Sequence, residues 1–305
     1  MTRILVTPRS LKSADHPALR PLRDAGFDMV FPCPGASPDA DTLKVALPGC
    51  RGWLAGVEKI TADILQAAPD LKIICRNGVG VDNIDLEAAK ARGIQIANTP
   101  GANARGVAEL ALALILAVAR GLPLCDASIK AGGWDRRQGV ELEGATLGVV
   151  GTGQVGRILI CMALGIGMKT VGYDLYPDAT FDPGDFRYVE PLELARLSDV
   201  VSIHIPGGDR PFADAAFLAA LKDNAIVVNT ARASAVDETA ILAALGDGRI
   251  LGYGVDAFED EPPGATPLTT NPRVVCSSHI GGFTAESVMR AAERAARNIV
   301  DALKG

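Results

Sequence analysis

Along the first hundred residues, short apolar and β-branched runs at 4–7, 28–31, 53–55, 72–75 and 94–97 alternate with stretches of helical periodicity such as 63–68. That alternation predicts parallel strands joined by crossover helices. Proline and glycine in Asn98-Thr99-Pro100-Gly101 interrupt the pattern, and an apolar segment, Ala104–Arg120, then reads as a helix buried on all sides. A second series begins at Ala145, with strands expected at 146–150, 170–173, 200–204, 225–229, 251–255 and 274–277. Six such strands alternating with helices suit a doubly wound parallel sheet. Over 284–304, Val288, Ala291, Ala295, Ile299 and Ala302 recur at helical spacing, so the last segment is an amphipathic helix that must dock on something.

Composition narrows the class. A length of 305 residues implies two domains at ~150 residues each, and 48% hydrophobic against 22% charged residues fills two cores, which argues against disorder, collagen or coiled coil. The net charge of -6 gives no positive field to gather nucleic acid or an anionic membrane, so neither is expected as a partner, and a small anionic ligand needs a local trap. Six scattered cysteines without a C-x-x-C pair read as reduced core thiols, with no disulfide framework and no metal site. Arg3 leads straight into Ile4-Leu5-Val6 with no apolar leader core, and the longest apolar run, 110–119, is far short of the ~20 residues that span a bilayer. A cytoplasmic location is the expectation.

The local trap is found in Gly151-Thr152-Gly153-Gln154-Val155-Gly156, which follows a strand and opens a helix. Gly151 permits the tight turn, Gly153 lets pyrophosphate approach the backbone, and Gly156 lets helix and strand pack closely. The amides of Gln154 and Val155 are then aimed at the anion, where the helix dipole adds positive potential. The same pattern recurs at Gly252, Gly254 and Ala257, but acidic residues and prolines follow there instead of a helix. Asp174, 18 positions beyond Gly156 at the end of the next strand, suits a ribose diol and repels a 2′-phosphate, which favours NAD (NADH) over NADP.

Hydride exchange with a hydroxyl-bearing carbon also needs a group that trades one proton with its oxygen near neutral pH, and imidazole does this best. Of three histidines, His16 lies before Pro17 in a polar stretch and reads as a surface residue. His204 ends a strand at the carboxyl edge where such folds bind ligands, and His279 precedes the turn Ile280-Gly281-Gly282. A carboxylate should steady the imidazole, and Glu259, Asp260 and Glu261 are candidates. Arg232, just past a strand, can clamp a substrate carboxylate by two parallel hydrogen bonds.

Together, the motifs Arg76-Asn77-Gly78-Val79-Gly80-Val81-Asp82-Asn83, Asn98-Thr99-Pro100-Gly101, Val107-Ala108-Glu109-Leu110, Gly151 to Gly156, Asn229-Thr230-Ala231-Arg232, Asp256 to Pro262 and His279-Ile280-Gly281-Gly282 resemble the NAD-dependent D-2-hydroxyacid dehydrogenase family, in its phosphoglycerate dehydrogenase-like branch. The resemblance spans nearly the whole chain. It implies an α/β fold of two Rossmann-like domains: a flavodoxin-like substrate or lid domain at 1–99 with 285–305, and an NAD domain at 100–284. It further implies that Arg232 binds the substrate carboxylate and carbonyl, that Glu261 pairs with His279, and that His279 is the acid/base. Asp256 would face the nicotinamide, and the Arg76, Asn77, Gly78, Val79 and Gly80 loop would present backbone amides to the substrate carboxylate. His204, Thr230, Ala231 and Gly281 complete the expected cofactor contacts. The 104–120 helix would pack across a homodimer.

Two departures stand out against that family pattern: Ala233-Ser234 after the arginine, where glycine is usual, and Pro206-Gly207-Gly208-Asp209 after His204, where leucine and threonine often stand. The expected reaction is interconversion of a small D-2-hydroxy acid and its 2-keto acid, with 3-phosphoglycerate, hydroxypyruvate and glyoxylate all open as substrates. A non-catalytic NAD(H)-sensing binding protein or corepressor on the same fold is the alternative, since fold does not fix function. A dehydrogenase of a substrate such as formate is a third reading, disfavoured by the intact acid/base pair.

Overall fold

A computed structural model describes residues 1–304, which form two compact units. Residues 1–103 with 282–304 make unit 1, and residues 104–281 make unit 2. Unit 1 holds β1 (Arg3–Val6), β2 (Asp28–Val30), β3 (Cys50–Ala55), β4 (Ile73–Arg76) and β5 (Gln95–Ala97), all parallel, in the order β2-β1-β3-β4-β5. This is the flavodoxin-like order. The amphipathic Ala285–Lys304 helix buries Ala292, Ala295, Ala296 and Ile299 in one of this unit's two cores, beside Ile4, Leu54 and Ile73.

The units divide at 103/104 and 281/282, where the sequence suggests 99/100 and 284/285. The reason is local: Arg290 Nε donates to Ala102 O at 2.9 Å and Arg294 Nη1 to Pro100 O at 2.6 Å, which ties residues 100–102 to the last helix.

Unit 2 holds β6 (Thr146–Val150), β7 (Lys169–Tyr173), β8 (Phe186–Tyr188), β9 (Val200–Ile203), β10 (Ala225–Asn229), β11 (Ile250–Val255) and β12 (Val274–Cys276). They form one parallel sheet of seven strands in the order β12-β11-β10-β9-β6-β7-β8, one strand more than the pattern suggests. The extra strand, β8, is a three-residue edge strand with Arg187 at its centre, too short and too polar to give a periodic signal. Chain reversal between β6 and β9 makes the switch point where doubly wound sheets bind ligands.

The Ala104–Arg120 helix is not buried on all sides. Ala111, Leu114, Ile115 and Val118 lie in the core, while Arg105, Glu109, Ala113, Leu116 and Arg120 form an exposed stripe. A further helix, Leu122–Lys130, continues the exposed apolar surface with Leu122 and Ile129, and no single helix among the described residues is long and apolar enough to cross a membrane. All six cysteines are free, but only Cys50 and Cys75 are buried, and Cys161 and Cys276 are exposed, so the expectation of core thiols holds for two. Burial pushes the Cys75 thiol up to about 11.

Candidate active site

Six parallel strands deliver their carboxyl ends to one edge of the unit 2 sheet. Gly151 follows β6, Asp174 follows β7, His204 follows β9, Thr230 to Arg232 follow β10, Asp256 follows β11 and His279 stands three residues past β12. The chemistry-bearing side chains of this unit are therefore ordered by strand topology, although 128 positions separate Gly151 from His279 in sequence.

At the β6 end, Gly151 has φ 91°, a left-handed conformation that glycine adopts freely. A Cβ on Gly156 would run into the Gly151 carbonyl oxygen and come within 2.9 Å of Val149 Cγ1, so only glycine lets the helix approach the strand. Gly153 is different: a Cβ there meets nothing within 4 Å, and the residue caps the Gln154–Gly165 helix without a side-chain hydrogen bond. The first-turn amides, those of Gln154 and Val155 included, are left uncovered by any capping side chain, beside an open approach, and this is an anion cradle. Asp174 accepts from Thr152 N at 2.7 Å, Thr152 Oγ1 at 3.2 Å and Tyr176 N at 3.0 Å. These bonds fix a half-buried carboxylate that keeps lone pairs for a ribose diol. The residues present thus fit a dinucleotide. By contrast, the second glycine pattern serves packing, because a Cβ on Gly254 would lie 2.9 Å from Leu114 Cβ of the overlying helix.

His204 lies directly beside the cradle, since a Cβ on Gly151 would come 2.7 Å from the His204 carbonyl oxygen. Its Nε2 is 2.9 Å from Ser202 Oγ and its Nδ1 3.4 Å from Thr230 Oγ1. Burial of the ring drives its pKa down to about 4, so it is neutral at pH 7.

The expected His279–Glu261 contact is present. His279 Nδ1 lies 2.8 Å and 2.9 Å from the two Glu261 carboxylate oxygens, and Phe258 N donates to Glu261 Oε1 at 3.1 Å. His279 has φ 55°, a left-handed conformation costing about 1 kcal/mol for a residue with a Cβ. An exposed pair of this kind returns at most about 1 kcal/mol to stability, so the arrangement is not explained by folding. The carboxylate that bonds the imidazole is that of Glu261 and not that of Glu259 or Asp260, which settles the choice among the three acidic residues.

At the neighbouring strand end, Arg232 Nη1 donates to Ala231 O at 2.9 Å. Its turn is closed by Asn229, fully buried, whose Nδ2 donates to Arg232 O at 2.8 Å and whose Oδ1 accepts from Ala231 N at 3.0 Å. Asp256 is also buried, and its carboxylate accepts from Ser277 Oγ at 2.6 Å, Ile280 N at 2.9 Å and Gly281 N at 2.9 Å. Asn229 and Phe258 lie inside the motifs without a role that periodicity or spacing assigns, and Ser277 is signalled only by its adjacency to His279-Ile280-Gly281-Gly282. Among the described residues no group of three His, Cys, Asp or Glu side chains could hold a metal.

In unit 1, the loop after β4 is held by backbone and side-chain bonds: Asn77 N donates to Ala55 O at 2.8 Å, Thr99 N to Gly78 O at 2.9 Å, and the side-chain Asn98 Nδ2 to Val79 O at 2.7 Å. Arg76 Nη1 donates to Asn77 O. Arg76 ends β4, and Asn77, Gly78, Val79 and Gly80 lie just beyond it in their own sheet, held by the Asn98-Thr99 motif.

The profile described as "D-isomer specific 2-hydroxyacid dehydrogenase, NAD binding domain" matches residues 112–281. The chain belongs to this family. Residues 112–281 are the family's NAD-binding domain, and the cofactor is NAD(H). Among curated relatives, a D-3-phosphoglycerate dehydrogenase of Methanocaldococcus jannaschii is 40% identical over 81% of this chain and 48% of its own length. A hydroxypyruvate reductase of Thermotoga maritima is 41% identical over 76% of this chain and 78% of its own length. The chain thus spans about half the length of several curated dehydrogenases that it matches. Among solved structures, the TT0316 protein from Thermus thermophilus is 35% identical, with a TM-score of 0.88 over 100% of this chain and 97% of that one.

Proposed function

We propose that this member of the 2-hydroxyacid dehydrogenase family catalyses the NAD-dependent interconversion of a D-2-hydroxy acid and its 2-keto acid. The observation that carries the reading is the His279–Glu261 pair, held at the same sheet edge as the dinucleotide cradle and Arg232. Bound NAD(H) would be held by the amides of the Gly151 to Gly156 turn and by Asp174, and it supplies the two-electron, hydride-transferring partner of the reaction. His204, Thr230, Ala231 and Gly281 stand along the same edge as further contacts.

The chain's own groups divide the remaining work. Glu261 occupies Nδ1 of His279 and so fixes the ring's tautomer and orientation, which leaves Nε2 to exchange a proton with the C2 oxygen of the substrate. Arg232 offers the planar fork that matches a carboxylate, so the acid is anchored through its C1 end. In unit 1, the Asn77 to Gly80 backbone offers donors of the kind that suit a substrate carboxylate. Hydroxypyruvate, glyoxylate and the phosphate-bearing 3-phosphohydroxypyruvate share this α-keto carboxylate and are the substrates to compare. A cytoplasmic, homodimeric enzyme, joined through the exposed stripe of the Ala104–Arg120 helix, completes the proposal.

The deciding experiment is a panel of these keto acids with NADH and with NADPH, followed by nicotinamide absorbance. Turnover with NADH on at least one of them is expected. Stoichiometric NADH binding without turnover on any of them overturns the proposal in favour of an NAD(H)-sensing protein.

A further inference from the structure

Two buried polar side chains in unit 2, Asn229 and Asp256, the latter expected to face the nicotinamide, also join the two turns on which the steps above depend. Asn229 is completely buried and Asp256 is 2% exposed. Asn229 ends β10 and closes the Arg232 turn through both atoms of its amide, while Asp256 closes the His279 turn through three acceptor bonds from Ser277 Oγ, Ile280 N and Gly281 N. The two are themselves linked, because Asp256 N donates to Asn229 O at 3.1 Å. From these contacts we infer that Asn229 and Asp256 are a coupled pair of positioning residues, one fixing the substrate-anchoring arginine and the other fixing the proton-carrying histidine. The inference rests on the roles proposed for Arg232 and His279.

The physical need is specific to each residue. His279 sits at φ 55°, outside the conformations its Cβ favours, so something must hold the turn there against relaxation. A carboxylate accepts from the two amides that follow the histidine and from the Ser277 hydroxyl two residues before it. Only a carboxylate supplies two acceptor oxygens at this place; an asparagine would turn an NH₂ group toward one of those donors. At Arg232 the requirement is reversed: one donor for the Arg232 carbonyl and one acceptor for the Ala231 amide, which a carboxamide alone provides.

The test uses the full chain, with Asp256→Asn and Asn229→Asp made singly and in the His279→Gln background. Asp256→Asn should lower kcat at least about tenfold, and by more than it raises the Kd of NADH, read by fluorescence; in the His279→Gln background the same change should cost less than about threefold in kcat, since residues acting as a unit are not additive. Asn229→Asp should act chiefly on the keto-acid KM, raising it about tenfold. A readout independent of activity is amide exchange: Ile280 and Gly281 should exchange at least about tenfold faster in Asp256→Asn. If Asp256→Asn does not fold, Ser277→Ala removes one of the three donors and should show the same pattern at smaller size.

Additive losses in the His279→Gln background overturn the inference, as does a loss of NADH affinity equal to the loss of kcat, which would make Asp256 a cofactor contact only. Failure of His279→Gln itself to lower kcat would instead overturn the proposed function, so the two failures are distinguishable.

Discussion

Gly207 lies against Ser234: a Cβ on Gly207 would strike the Ser234 hydroxyl oxygen and come 3.3 Å from Arg232 Cβ. The two places where this chain departs from the family pattern, the 206–209 loop and Ala233-Ser234, are therefore packed on each other, with Arg232, the proposed substrate anchor, beside them. Gly207→Ala should push on Arg232 and raise the keto-acid KM about tenfold, a penalty in keeping with small displacements of positioning groups. Adding Ser234→Ala should recover most of it. Steady-state kinetics on the two variants check this, and an unchanged KM in Gly207→Ala counts against the contact.

His279→Gln and Glu261→Gln should separate catalysis from folding. Loss of a general acid/base costs about 10²- to 10⁴-fold in rate, whereas an exposed ion pair contributes at most about 1 kcal/mol to stability. Both variants should keep a melting temperature close to that of the parent protein and bind NADH normally while kcat falls. A large drop in melting temperature for either would reveal a structural role.

The glycines of the cradle should divide in the same way. Gly156→Ala places a Cβ against the Gly151 carbonyl and Val149, so it should destabilise the protein by about 1–3 kcal/mol, seen as a lower urea midpoint. Gly153→Val enters open space at φ -68°, which any residue adopts. It should leave the urea midpoint unchanged and weaken NADH binding instead, measurable by fluorescence titration.

His204 predicts a pH dependence of stability. Its folded pKa of about 4 lies below the ordinary 6.5, so above pH 6.5 the residue is neutral in both states and contributes nothing. Between pH 6.5 and 4 the unfolded chain takes up a proton that the native ring refuses, so stability falls as pH falls, by at most about 3 kcal/mol. Urea denaturation of the parent protein and of His204→Gln over this range should show the smaller loss in the variant.

Leu116 is 43% exposed on the stripe of the Ala104–Arg120 helix, and Leu122, Ile129 and Trp134 are more exposed still. Leu116 and Leu122 line one surface depression with Ala113 and Ala117, and an exposed apolar surface of this kind suits an association site. If the proposed homodimer forms through this stripe, Leu116→Glu should give a monomer in light scattering without unfolding unit 2, because the side chain makes no part of the core. A parent protein that is itself monomeric would refute the dimer.

Periodicity and motif spacing by themselves determined both parallel sheets, the doubly wound order of unit 2 in outline, the cradle at Gly151 to Gly156 and the candidacy of Arg232, His279 and the 259–261 acidic run. These are legible because strand alternation, a glycine that admits no Cβ and a titratable group near neutral pH each demand particular residue types at particular places. The tertiary structure alone decided what depends on contacts between distant segments. It picked Glu261 from three neighbouring acids, turned one stripe of the apolar helix outward, assigned Gly254 to helix packing, and bound residues 100–102 to the last helix. It also turned the Asp256 carboxylate into the His279 turn, across 23 residues of chain. Hydrogen bonds of that reach leave no period in a sequence, because the partner is set by where two strands end and not by how far apart their residues are written.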